Sequence, residues 1–73
     1  MATDISIRLG RKIRDLRRQR QWRQIDLAAH AELSKTHVCE LELGKREVGL
    51  KTLERLAQAL DVKISELMKS IGQ

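Results

Sequence analysis

Five stretches of this 73-residue chain carry apolar residues at helical spacing, separated by short polar breaks. Ile5, Leu9, Ile13 and Leu16 define the first face, with Thr3 and Asp4 as candidate caps and an end near Gln19–Gln21. Leu27, Ala28 and Ala31 make a second stripe, on a helix running from about Arg23 to Ala31. Val38 and Leu41 make a third, from about Lys35 to Leu43, with Ser34 as its N-cap and Gly44 as its C-cap. A fourth helix begins at Gly49 or Leu50 and is expected to turn Leu50, Leu53, Leu56, Ala57 and Leu60 inward. Ile64, Leu67, Met68 and Ile71 form the face of a fifth. No segment alternates with period two, so the fold class is all-α, in one domain.

The second and third helices, with the intervening Glu32-Leu33-Ser34, organise the rest. The small pair Ala28 and Ala31 lets two helices cross closely, near the ~90–120° of a helix-turn-helix. Lys35, Thr36, His37 and Glu40, at the start of the third helix, can all hydrogen-bond outward. That arrangement suits the reading of a DNA duplex. Gly10, inside the first helix, costs about 1 kcal/mol relative to Ala and points to a close helix contact. Trp22 is assigned to the core in preference to a base-stacking platform.

The core must be built from Leu, Ile, Val and Ala, because the chain has one Trp and neither Phe, Tyr nor Pro. A domain of this length buries only about 60% of its unfolded surface. Its net charge is +5, unevenly spread. Residues 1–23 hold eight cations (Arg8, Arg11, Lys12, Arg14, Arg17, Arg18, Arg20 and Arg23) against Asp4 and Asp15, a net of +6. Residues 24–73 carry a net of −1. Such a concentration suggests a polyanionic partner; a solvated, salt-bridged helix is the alternative. A single cysteine, no apolar leader and no run of ~20 apolar residues lead to the expectation of a soluble cytoplasmic protein, not a membrane one. The two histidines and one cysteine lack metal-site spacing, and no glycine-rich phosphate loop or Ser/His/Asp set is present. No metal, cofactor, small-molecule ligand or enzymatic activity is therefore expected.

These residues resemble the Cro/phage-repressor type of helix-turn-helix family over about residues 5–70. The resemblance rests on Ile13-Arg14, Leu16-Arg17, Trp22, Gln24, Leu27-Ala28, Leu33-Ser34, Val38, Leu41-Glu42, Gly44-Lys45, Leu50, Leu53, Leu56-Ala57, Leu60 and Leu67, in that order. It implies a five-helix, lambda-repressor-like domain that binds DNA as a homodimer. It also implies roles for single positions. Gln24 would bind a backbone phosphate and brace the recognition helix. Lys35, Thr36 and Glu40 would face base edges, with His37 and Cys39 flanking them. Lys45 and Arg46 would grip the backbone, and Arg23 is counted with the DNA-binding set. Arg17 and Glu42 would pair structurally.

Some of these side chains have a second reading. Lys35 can serve a phosphate alone, and Glu40 can pair with Lys35 or Arg46. His37 can be merely exposed, His30 a surface residue and Cys39 an inert thiol. Three positions where the family often has glycine are Gln21, Glu32 and Asp61, each costing on the order of 1 kcal/mol if φ is positive. Val48 stands where proline is common, and Leu43 where a polar residue is.

The function expected is a transcription regulator on a palindromic operator, with half-site centres about 34 Å apart. Its half-sites would mix G·C and T·A pairs. Ile64, Leu67, Met68 and Ile71 would form the dimer interface. Small members of the family serve as restriction–modification controllers, phage repressors and antitoxins. The alternative is therefore an antitoxin or other protein-interaction module of the same fold.

Overall fold

A computed structural model of the chain describes residues 3–71. These form α1 (Asp4–Gln19), α2 (Gln24–Ala31), α3 (Lys35–Glu42), α4 (Leu50–Leu60) and α5 (Ile64–Lys69), with no strand among them. Thr3 caps α1, its hydroxyl accepting the Ser6 N–H at 3.1 Å. Asp4 in the first turn and Arg17 and Arg18 in the last complement the helix dipole. Ser34 caps α3 by accepting the His37 N–H at 3.0 Å, as its position in the sequence predicts.

Four of the helices stop in the same way. After α1, α2, α3 and α4, one residue enters the left-handed region: Gln21 (φ 58°), Glu32 (φ 58°), Gly44 (φ 74°) and Asp61 (φ 55°). Each corner is closed by two backbone hydrogen bonds, such as Glu32 N–H to Ala29 O and Leu33 N–H to Ala28 O. At three corners the residue that follows is apolar, Trp22, Leu33 or Val62, and packs against the core. At the fourth it is Lys45, which stays exposed. Only this last corner uses glycine. A β-carbon at Gly44 would stand 2.7 Å from the Ile7 side chain and 2.8 Å from its Cα.

Ile13, Leu27, Val38, Leu41, Leu56, Leu60 and Leu67 are fully buried, so all five helices contribute to one core. Gly10 is where α1 meets the C-terminal end of α3. A β-carbon there would run into the Leu41 carbonyl oxygen and lie 2.7 Å from that of Glu42.

Three sequence expectations are corrected. Ile5 is 56% exposed, because the buried stripe of α1 is centred on Ser6, Gly10, Ile13 and Arg17 and leaves Ile5 at its margin. Leu50 does not face inward; it is 85% exposed on the first turn of α4, ahead of the buried set Leu53, Leu56, Ala57 and Leu60. Leu67 is wholly buried in the core of its own chain, so it is withdrawn from the dimer interface assigned to it. Ile64 and Met68 remain exposed and Ile71 half-buried.

Candidate nucleic-acid interface

α3 has two unlike ends. Lys35 and Thr36 are exposed in its first turn, and His37, Cys39 and Glu40 are half-buried beside them. Val38, Leu41 and Glu42 are buried and fasten the helix to the core. The polar residues singled out in α3 therefore share an outward region, while the apolar ones point the other way.

The inner end is held by a buried ion pair. Arg17 donates from Nε to Glu42 Oε2 at 2.6 Å and from Nη2 to Oε1 at 2.9 Å. Its Nη1 donates to the Trp22 carbonyl at 2.8 Å. Gln24 adds a hydrogen bond from its amide nitrogen to Glu42 Oε1 at 3.2 Å. One carboxylate thus ties α1, α2 and α3 together, and the bonds to Glu42 hold Arg17 more firmly protonated, against the opposing effect of burial. The bracing role implied for Gln24 has this geometric basis.

The remaining site residues lie on three segments. Arg23, exposed before α2, pairs with Asp26: its backbone N–H donates to Oδ2 at 2.7 Å and its Nε at 3.3 Å. These bonds lower the Asp26 pKa. Lys45 and Arg46 are exposed just past α3. Arg46 Nε lies 3.4 Å from Glu40 Oε1, which selects Arg46 among the partners considered for Glu40. His37 has a lowered pKa, first through partial burial and then through the charge of Arg46, with Glu40 acting the other way. Cys39 is a free, half-buried thiol.

Trp22 is half-buried against the core, and His30 stacks on it with ring centroids 4.2 Å apart and planes 18° from parallel. The face that His30 covers is not open to a base. Sequence reasoning did not foresee this stack, nor Arg20, which donates to the Leu16 and Leu60 carbonyls and so serves the ends of α1 and α4. The only signal for Arg20 is a cation close to a helix C-terminus, where free carbonyls need donors. With Arg17 and Arg23, it shows that part of the basic N-terminal segment is engaged within the molecule.

Among the described residues, no group of three or more His, Cys, Asp or Glu side chains is placed to hold a metal ion. None of their helices is long and apolar enough to cross a membrane.

Residues 13–67 match the helix-turn-helix family. This chain is a helix-turn-helix protein of the Cro/phage-repressor type. Within that family it is 38% identical over 69 residues to the control protein C.MunI of a Mycoplasma species, covering 93% of each chain. The restriction–modification controller C.AhdI of Aeromonas hydrophila is 34% identical and superposes with a TM-score of 0.81, over 84% of this helix-turn-helix chain and 92% of that one. The controller C.Esp1396I, solved as a tetramer on its natural 35 base-pair operator, shares the fold with a TM-score of 0.82 at 24% identity, over 97% and 99% of the two chains.

Proposed function

We propose that this protein is a sequence-specific, double-stranded-DNA-binding transcription regulator of the restriction–modification controller type, acting as a homodimer on a palindromic operator in the cytoplasm. The observation that carries this reading is the division of α3, clamped to the core by Val38, Leu41 and Glu42 while Lys35, Thr36, His37 and Glu40 form an outward polar region. Its likeness to C.MunI and C.AhdI along almost the whole chain supports it.

In this reading α3 enters the major groove by its first turn. Lys35 donates to guanine O6 or N7, and Thr36 sets its methyl group on thymine. Gln24, Arg23, Lys45, Arg46 and His37 meet phosphates, which fix the register without specifying sequence. Cys39 flanks them. Ile64 and Met68, 42% and 44% exposed, form the dimer face with Ile71 and with Leu50 on the neighbouring turn of α4.

Selection of sites from random duplexes tests the whole reading. The expected product is an inverted repeat with half-site centres about 34 Å apart, bound less tightly as salt rises. Recovery of no preferred sequence would overturn it.

A further inference from the structure

A carboxylate on the face that meets a polyanion needs a reason. The Glu40 side chain is 42% exposed on α3, among the residues proposed to face the duplex. It also holds the next loop in two ways. Its backbone carbonyl accepts the Lys45 N–H at 3.0 Å, and its carboxylate lies 3.4 Å from Arg46 Nε. Arg46 is therefore turned back towards α3 in the free protein.

We infer that Glu40 is a positioning residue for Arg46, keeping that cation from the DNA backbone until the matching base releases it. This rests on the reading of α3 as the DNA-reading helix.

The physical argument concerns what each duplex offers in exchange. On an arbitrary sequence, Arg46 can stay with Glu40 and leave a phosphate unneutralised. If it moves to the phosphate instead, it leaves a bare carboxylate among negative charges. Either course weakens binding. Where a cytosine N4 or adenine N6 amine faces position 40, Glu40 accepts a hydrogen bond from the base and Arg46 is free for phosphate. Both groups are then satisfied together. An exposed ion pair is weakly held, so the exchange has little to overcome. Glu40 thus acts on sequence preference largely through loss of binding at the wrong sites. The opposed effects of Arg46 and Glu40 on the His37 pKa place all three side chains within electrostatic reach of one another.

The test is a two-residue cycle on the full chain, comparing a selected duplex with a scrambled one of equal length across a range of salt. Glu40→Gln should bind the scrambled duplex about 2–5-fold more tightly. The slope of log K against log salt on that duplex should steepen by about 0.9, the value for one further phosphate neutralised. Affinity for the selected duplex should change less, so discrimination falls. In an Arg46→Ala background the same substitution should leave the slope unchanged. The proposal is overturned if Glu40→Gln leaves the scrambled-duplex slope at the wild-type value, or changes it equally with Arg46 absent. Loss of discrimination in the wild-type chain itself would instead remove the DNA-reading account as a whole. Neither side chain belongs to the core, and thermal melts of each variant verify that the fold is retained.

Discussion

Arg17 grips both oxygens of the Glu42 carboxylate, and Gln24 reaches the same group from α2. The side chains of the pair are only 10% and 2% exposed. Removing one partner would strand the other without water. Arg17→Ala or Glu42→Ala should each lower stability by about 3–5 kcal/mol. That is a large part of the roughly 4–11 kcal/mol expected for a chain of this length. Replacing both together, as in Arg17→Met with Glu42→Leu, should recover most of the loss. Urea unfolding of the three variants makes the comparison.

Gly10→Ala sets two effects against each other. Alanine favours the helix by about 1 kcal/mol. Its β-carbon, however, would meet the backbone carbonyls of Leu41 and Glu42, and backbone cannot swing aside as a side-chain tip can. The clash should win, with a net loss of about 1–3 kcal/mol. A fall in melting temperature of about 4–8 °C per kcal/mol would register it. A rise would mean that α1 and α3 lie further apart than described.

The helix corners should respond with opposite signs. Gln21 and Glu32 hold positive φ despite their side chains, so Gln21→Gly and Glu32→Gly should each stabilise by up to about 1 kcal/mol. Asp61→Gly should gain less, since Asp tolerates that region better. Gly44→Ala should destabilise, adding contact with Ile7 to the backbone strain. Shifts in the urea midpoint at constant m-value separate these outcomes.

His37 gives the fold a pH dependence of known sign. Its folded-state pKa lies below the ordinary 6.5, chiefly through burial. The unfolded chain therefore binds the proton more readily. The contribution to stability is fully present above pH 6.5 and declines as pH falls from there through the folded-state value. His37→Gln should flatten that limb of the profile in denaturant melts between about pH 5 and 8. DNA binding should show the reverse trend, because a phosphate near the imidazole favours the charged form.

Periodicity alone is enough to find the helices: α1 to α4 each bury residues at three- and four-residue spacing, and α5 repeats the apolar spacing although it buries only Leu67. Ser34, Gly44 and Gly10 announced a cap, a stop and a crossing, because each has few other reasons to stand where it does. The pairing of Arg17 with Glu42, 25 residues apart, came from family likeness; local pattern carries no such long-range information. Leu50 and Leu67 were misplaced for one reason. Spacing identifies a face but not which residue at its edge the neighbouring helix covers. The Glu40–Arg46 contact was one option of two, because two lysine or arginine side chains lay within reach and only the loop's path chooses between them. The stacking of His30 on Trp22 had no sequence signal at all.

Trp22, Leu33 and Val62 each cork the core just beyond a helix end, and Lys45 does not. Three of the corners are thus tied to the interior through those apolar residues and resist change in length. From Lys45 to Glu47 the chain lies exposed, anchored behind by Gly44 and ahead by the partly buried Val48. New side chains can be tried in that span without disturbing the interior. The scaffold thus concentrates its capacity for evolutionary novelty beside α3, the helix proposed to enter the groove, so the chemistry of that margin can diverge while the architecture stays fixed.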